Sequence, residues 1–126
     1  HSFGGNSWMF SRVIDTLAEH FTVLTYDLPG CARSDTPPLP YDVPDYATVL
    51  DLILDAAGQE RVNLVSCGGS SLTGATFAAT RPERVERLVL ESLSLQCRYQ
   101  AGSIDVLGRL SREAGHLEDR WVEIRA

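Results

Sequence analysis

The chain has 126 residues, 44% hydrophobic and 22% charged, which suits one soluble globular domain and leaves too little for two cores. Its formal net charge is −6 and all of its basic residues are arginine, so the surface repels phosphate backbones and disfavours nucleic acid as a partner. No apolar run approaches the roughly 20 residues of a membrane helix.

Three cysteines, Cys31, Cys67 and Cys97, are far apart and form no C-x-x-C pair. Neither a disulfide framework nor a metal site is indicated, and a reducing, cytoplasmic setting is expected. No secretory leader pattern is visible.

From Asn6 to Phe21 the apolar residues Phe10, Val13, Ile14, Leu17 and Phe21 recur at helical spacing, which predicts an amphipathic helix lying on a core. Thr22 to Tyr26 is short, β-branched and largely apolar, and predicts a buried strand. Asp27 to Pro40, with Gly30 and four prolines, is loop.

Asp42 then stands as an N-cap, with Asp45 three residues on and Pro44 in the first turn, where a missing N–H costs little. The helix it opens carries Tyr46, Val49, Leu50, Ile53, Leu54 and Ala57 as its apolar positions and stops at Gly58. Val62 to Val65 predicts a second strand. A turn of small residues from Ser66 to Ser71 leads into an Ala/Thr-rich helix ending near Thr80. Pro82 turns the chain into a third strand, Val85 to Leu90. Beyond Ser94 only a poorly defined helical tail, 95–126, is expected, within a single domain spanning 1–126. Strands alternating with helices of this length imply an α/β fold with parallel crossovers and helices on both faces of the sheet.

The turn Ser66-Cys67-Gly68-Gly69-Ser70-Ser71 is the most informative stretch. A tight strand-to-helix turn wants small residues, and its helix N-terminus presents backbone N–H groups. A phosphate-cradling loop is one reading, but the chain has no lysine for a P-loop and no G-x-G-x-x-G spacing. The other reading is a nucleophile elbow, G-x-S-x-G.

Four motifs in order resemble the α/β-hydrolase superfamily over roughly residues 1 to 92. His1 to Gly5 is similar to its HG-x-x-G oxyanion loop, Asp27 to Asp35 to its D-x-x-G-x-G-x-S-D loop, Leu64 to Ser71 to LVGHSxGG, and Arg81 to Leu90 to its HPERVxRLVL return strand. The resemblance implies a three-layer αβα sandwich with a parallel sheet. It also implies hydrolysis of carboxylic esters or similar small substrates, with no cofactor. The oxyanion-hole donors it implies are the backbone N–H groups of Phe3 and Gly69. Within this pattern His1 shapes the oxyanion loop and is not the base.

The departures are equally specific. The nucleophile position falls on Gly68, Ser2 replaces the glycine of HG, and Ala32 replaces the second glycine of the Asp27 loop. The family pattern also implies a strand before His1, lying between the strands at Thr22 and Val62, and two further strands ahead of a triad histidine. None of these is visible, so a partial, catalytically incomplete core is expected. The alternative is a non-catalytic binding or scaffold module on the same fold.

Three other residues are candidates for chemistry. Cys67 would serve as nucleophile only if the turn slipped by one residue, which would push β-branched Val65 into a crowded position; otherwise it is a small buried filler. Glu91, ending the third strand, stands where some family members place the triad acid, or is an exposed strand-end charge. His116, in Ala114-Gly115-His116, superficially resembles the family's terminal GH, or is a surface histidine. Ser70 and Ser71 are read as capping or solvated residues of the helix's first turn.

Overall fold

The computed structural model describes residues 1–3 and 5–93. A 3₁₀ turn, Ser7–Phe10, leads into α1, Ser11–Ala18. A long stretch without helix or strand reaches α2, Val43–Ala56. Strand β1, Val62–Cys67, passes through a 3₁₀ turn at Gly68–Ser70 into α3, Ser71–Thr80. A third 3₁₀ turn, Pro82–Arg84, opens β2, Val85–Glu91. The tail expected over 95–126, and His116 with it, lies outside the described residues.

β1 and β2 pair in parallel, with Leu64 opposite Leu88, Ser66 opposite Leu90 and Cys67 opposite Glu91. A parallel pair needs a crossover, and α3 provides it. The α/β class inferred from the alternation of elements therefore stands. The core joins Ala47, Leu50 and Leu54 of α2, Ala75 and Phe77 of α3, and Val85, Leu88 and Leu90 of β2. Burying Phe77 completely contributes about 1.5–3 kcal/mol.

The helix boundaries follow from local chemistry. Asp42 accepts from the Asp45 amide while the Asp45 carboxylate accepts from the Asp42 amide, a reciprocal capping box at the start of α2. At its end Gly58 takes φ +66° and its amide reaches the carbonyl of Asp55. The Asp51 carboxylate then receives Arg81 Nε at 2.6 Å and an Arg84 amine at 2.8 Å, which fixes α2 to the turn preceding β2. Ala57, expected on the apolar face of α2, is exposed instead, because the helix has already reached its C-cap there.

Two expectations fail near the N-terminus. Thr22–Tyr26 forms no strand, and Leu24 within it is 48% exposed. A β-branched run supplies propensity, but a strand also needs a neighbour to take its N–H and C=O groups, and none of the described strands lies beside it. The helix expected from Asn6 breaks into a 3₁₀ turn and eight α-helical residues, with none of the α1 residues buried. Val13, Leu17 and Phe21 share a face as the spacing implies, yet all three remain exposed. Periodicity marks a face without saying what covers it.

Candidate functional site

The carboxyl ends of β1 and β2 carry the site. Gly68 has φ +58°, a left-handed conformation that a side chain makes strained and that glycine adopts freely. The strand-to-helix turn thus bends sharply at a residue that has no side chain.

Small residues beneath the turn let the layers close. Ser66 sits where the elbow pattern has glycine, and a Cβ on Gly74, one turn into α3, would collide with its side chain. Gly74 therefore makes room for the serine. Ser71, fully buried, places its hydroxyl 3.0 Å from the carbonyl oxygen of Ser66 and 2.8 Å from that of Glu91, joining the ends of both strands to α3. Ser70 donates to the carbonyl of Cys67 at 3.0 Å. Both serines were expected to cap or to face solvent; they are buried and hold strand-end carbonyls instead. The sequence does signal this in retrospect, since a polar side chain in so tight a turn must satisfy its hydroxyl internally.

The N-terminal loop packs against this turn. Phe3 lies over Gly69, where a Cβ would meet its ring at 2.6 Å. The Phe3 ring also meets Tyr46 of α2 edge-on at 5.1 Å, and Tyr46 meets Tyr41, just before that helix, at 5.5 Å, so an aromatic row borders the turn. Sequence reading missed that row, because Tyr41 and Tyr46 lie some forty residues from Phe3.

The loop's shape is fixed by His1. Its Nε2 accepts from the Leu28 amide at 2.8 Å, which requires the proton to be on Nδ1, where it is donated to the Ser2 carbonyl at 2.8 Å. Both ring nitrogens are thereby occupied. Asp27 anchors the second loop: Oδ1 accepts the Ser7 amide at 2.7 Å and Oδ2 accepts Arg33 Nε at 3.2 Å. These bonds, the Ser7 amide foremost, hold the buried Asp27 carboxyl far below the usual carboxylate range. In the same loop Ala32 takes φ +45°, keeping a conformation suited to glycine despite its methyl group.

The structure brings Gly68, Gly69, Cys67, Glu91 and Phe3 to one end of the sheet. Cys67 is buried, and desolvation, reinforced by the nearby Glu91 carboxylate, raises its thiol pKa. That environment opposes thiolate formation. Glu91 is exposed, with Oε1 accepting from the Ser92 hydroxyl at 2.9 Å. No group of His, Cys, Asp and Glu among the described residues is placed to hold a metal ion.

A family model for the alpha/beta hydrolase fold matches residues 1–110. The chain belongs to the α/β-hydrolase fold family. Among solved structures it is similar to a hydrolase from Pseudomonas aeruginosa, with a TM-score of 0.74 and 26% identity, covering 97% of this chain and 48% of that one. It is 39% identical over 95 residues to the uncharacterized protein Rv2715 of Mycobacterium tuberculosis, covering 73% of this chain and 27% of the relative. A poly(3-hydroxyalkanoate) depolymerase of Ectopseudomonas oleovorans is 28% identical over 109 residues, 86% of this chain and 36% of that protein. The chain thus spans half or less of each relative named here.

Proposed function

We propose that this chain carries the small-molecule-binding end of an α/β hydrolase for carboxylic esters or similar substrates, in a form that lacks its own nucleophile. The observation that carries this reading is Gly68: the left-handed apex of the turn is intact, and the position that would bear the attacking oxygen has no side chain. The depolymerase named above acts, by its name, on a polyester, which supports esters as the substrate class.

In this reading the backbone N–H groups of Phe3 and Gly69 are the donors to a ligand's carbonyl oxygen. In active enzymes such a donor is worth about 10²–10³ in rate when it faces a developing oxyanion. Without a nucleophile and a base, the same groups bind the ligand and do not turn it over. Glu91 is a strand-end charge beside the turn, and Cys67 a buried filler. A small carbonyl compound is the partner; nucleic acid is not. Three widely spaced cysteines without a C-x-x-C pair support a reducing, cytoplasmic setting.

The test is hydrolysis of 4-nitrophenyl acetate by the purified chain, alongside a Cys67→Ala variant. Release indistinguishable from buffer is expected for both. Turnover that disappears in Cys67→Ala would assign the chemistry to the thiol and overturn the proposal.

A further inference from the structure

Two departures from the family pattern meet in space. Gly68 stands where the elbow has serine, and Ser2 stands where the oxyanion loop has glycine. A Cβ at position 68 would lie 2.5 Å from Ser2 Oγ, 3.0 Å from Ser2 Cβ and 3.9 Å from Ser2 Cα. Contacts of 2.5 Å are well inside van der Waals separation. Rotating the Ser2 hydroxyl away would relieve the first contact, but Ser2 Cβ is fixed by the backbone and would remain.

We infer that Ser2 is the residue that crowds any side chain at position 68, so that the two positions form a matched pair: a hydroxymethyl group entering from the loop, and a bare apex on the turn. This inference rests on the reading that the turn carries no nucleophile, and it gives that absence a steric cause. It follows that Gly68→Ser alone cannot rebuild an elbow. The new side chain would meet Ser2 before it met any base. Only Ser2→Gly combined with Gly68→Ser recreates the space in which a serine at the apex fits.

Ser2 itself is partly exposed, so its hydroxyl remains in reach of a ligand at the turn. The loop backbone that carries it is held in place by the two hydrogen bonds of the His1 ring. Ser2 therefore has little freedom to withdraw when position 68 is filled.

The test is a thermal-unfolding cycle on the full chain, with Gly68→Ala introduced into the natural, Ser2→Ala and Ser2→Gly backgrounds. Alanine at 68 adds the Cβ without a new hydroxyl. Its left-handed strain is the same in all three backgrounds, so only the Ser2 contact changes. In the natural background the midpoint should fall by roughly 5–15 °C. About half of that loss should be recovered in Ser2→Gly, and less in Ser2→Ala, which keeps the 3.0 Å contact. If Gly68→Ala gives no cooperative transition in the natural background but does so in Ser2→Gly, the pairing is upheld. An equal drop in all three backgrounds, or failure to fold in all three, would overturn it. Ester turnover by the natural chain would sink the functional proposal while leaving this cycle's result intact, so the two failures are separable.

Discussion

The Leu28 amide donates a 2.8 Å hydrogen bond to Nε2 of His1, so His1 is tied to the loop that follows residues 22–26. With Nδ1 donating to the Ser2 carbonyl, the imidazole is committed to one tautomer and to a structural role. His1→Ala would leave the buried Leu28 amide without its partner, at a cost of about 1–3 kcal/mol. Chemical denaturation should report that loss, together with faster hydrogen exchange at Leu28. An unchanged midpoint would mean that the bond does not hold the loop.

Ala32 holds φ +45° in the loop where the family pattern has a second glycine. A left-handed residue with a Cβ costs about 1–2 kcal/mol, and glycine removes that cost while adding freedom to the unfolded chain. Ala32→Gly is therefore expected to stabilise the protein by about 0.5–1 kcal/mol. Denaturant midpoints at equal slope check this, and destabilisation would argue that the loop relaxes to negative φ in solution.

Asp27 links pH to stability. Its folded pKa is depressed, by the Ser7 amide first and by Arg33 as well. A depressed carboxyl stabilises the fold fully above its unfolded pKa of about 4, and that contribution drains away as pH falls toward the folded value. Unfolding midpoints should be flat near neutrality and drop below about pH 4. Asp27→Asn should lower the midpoint at pH 7 and flatten the acid limb. A variant with an undiminished acid limb would assign it to other carboxylates.

Cys67 should be the less reactive of the two described thiols. It is buried with its pKa raised, whereas Cys31 is partly exposed. Since thiolate is the reacting form, iodoacetamide at pH 8 should modify Cys31 well before Cys67 under native conditions. Peptide mapping by mass spectrometry distinguishes them. Rapid alkylation of Cys67 would reopen it as a nucleophile.

Much of the fold was legible because it is written in local chemistry. The capping pair Asp42 and Asp45, Gly58, Pro82 and the two apolar strands each declare an element on their own. The strand-to-helix turn at Gly68 was legible for the same reason: strand, small-residue turn and helix are consecutive. What was illegible depends on neighbours distant in sequence. Thr22–Tyr26 has strand propensity and no adjacent strand among the described residues, so it forms no strand. The face of Val13 and Leu17 has the right spacing and remains uncovered. Ser2 and Gly68 looked like two unrelated departures, because only the folded loop sets their atoms side by side. Ser71 looked like a cap, because its carbonyl partner at Glu91 is twenty residues away.

The most direct measurement is intact-mass analysis after incubating the chain with a fluorophosphonate, which attaches covalently to an activated serine. A turn with a bare apex leaves the mass unchanged at Gly68 and everywhere else. A single stoichiometric adduct, mapped by fragmentation to Ser2, Ser70 or another hydroxyl near the carboxyl ends of β1 and β2, would contradict the account.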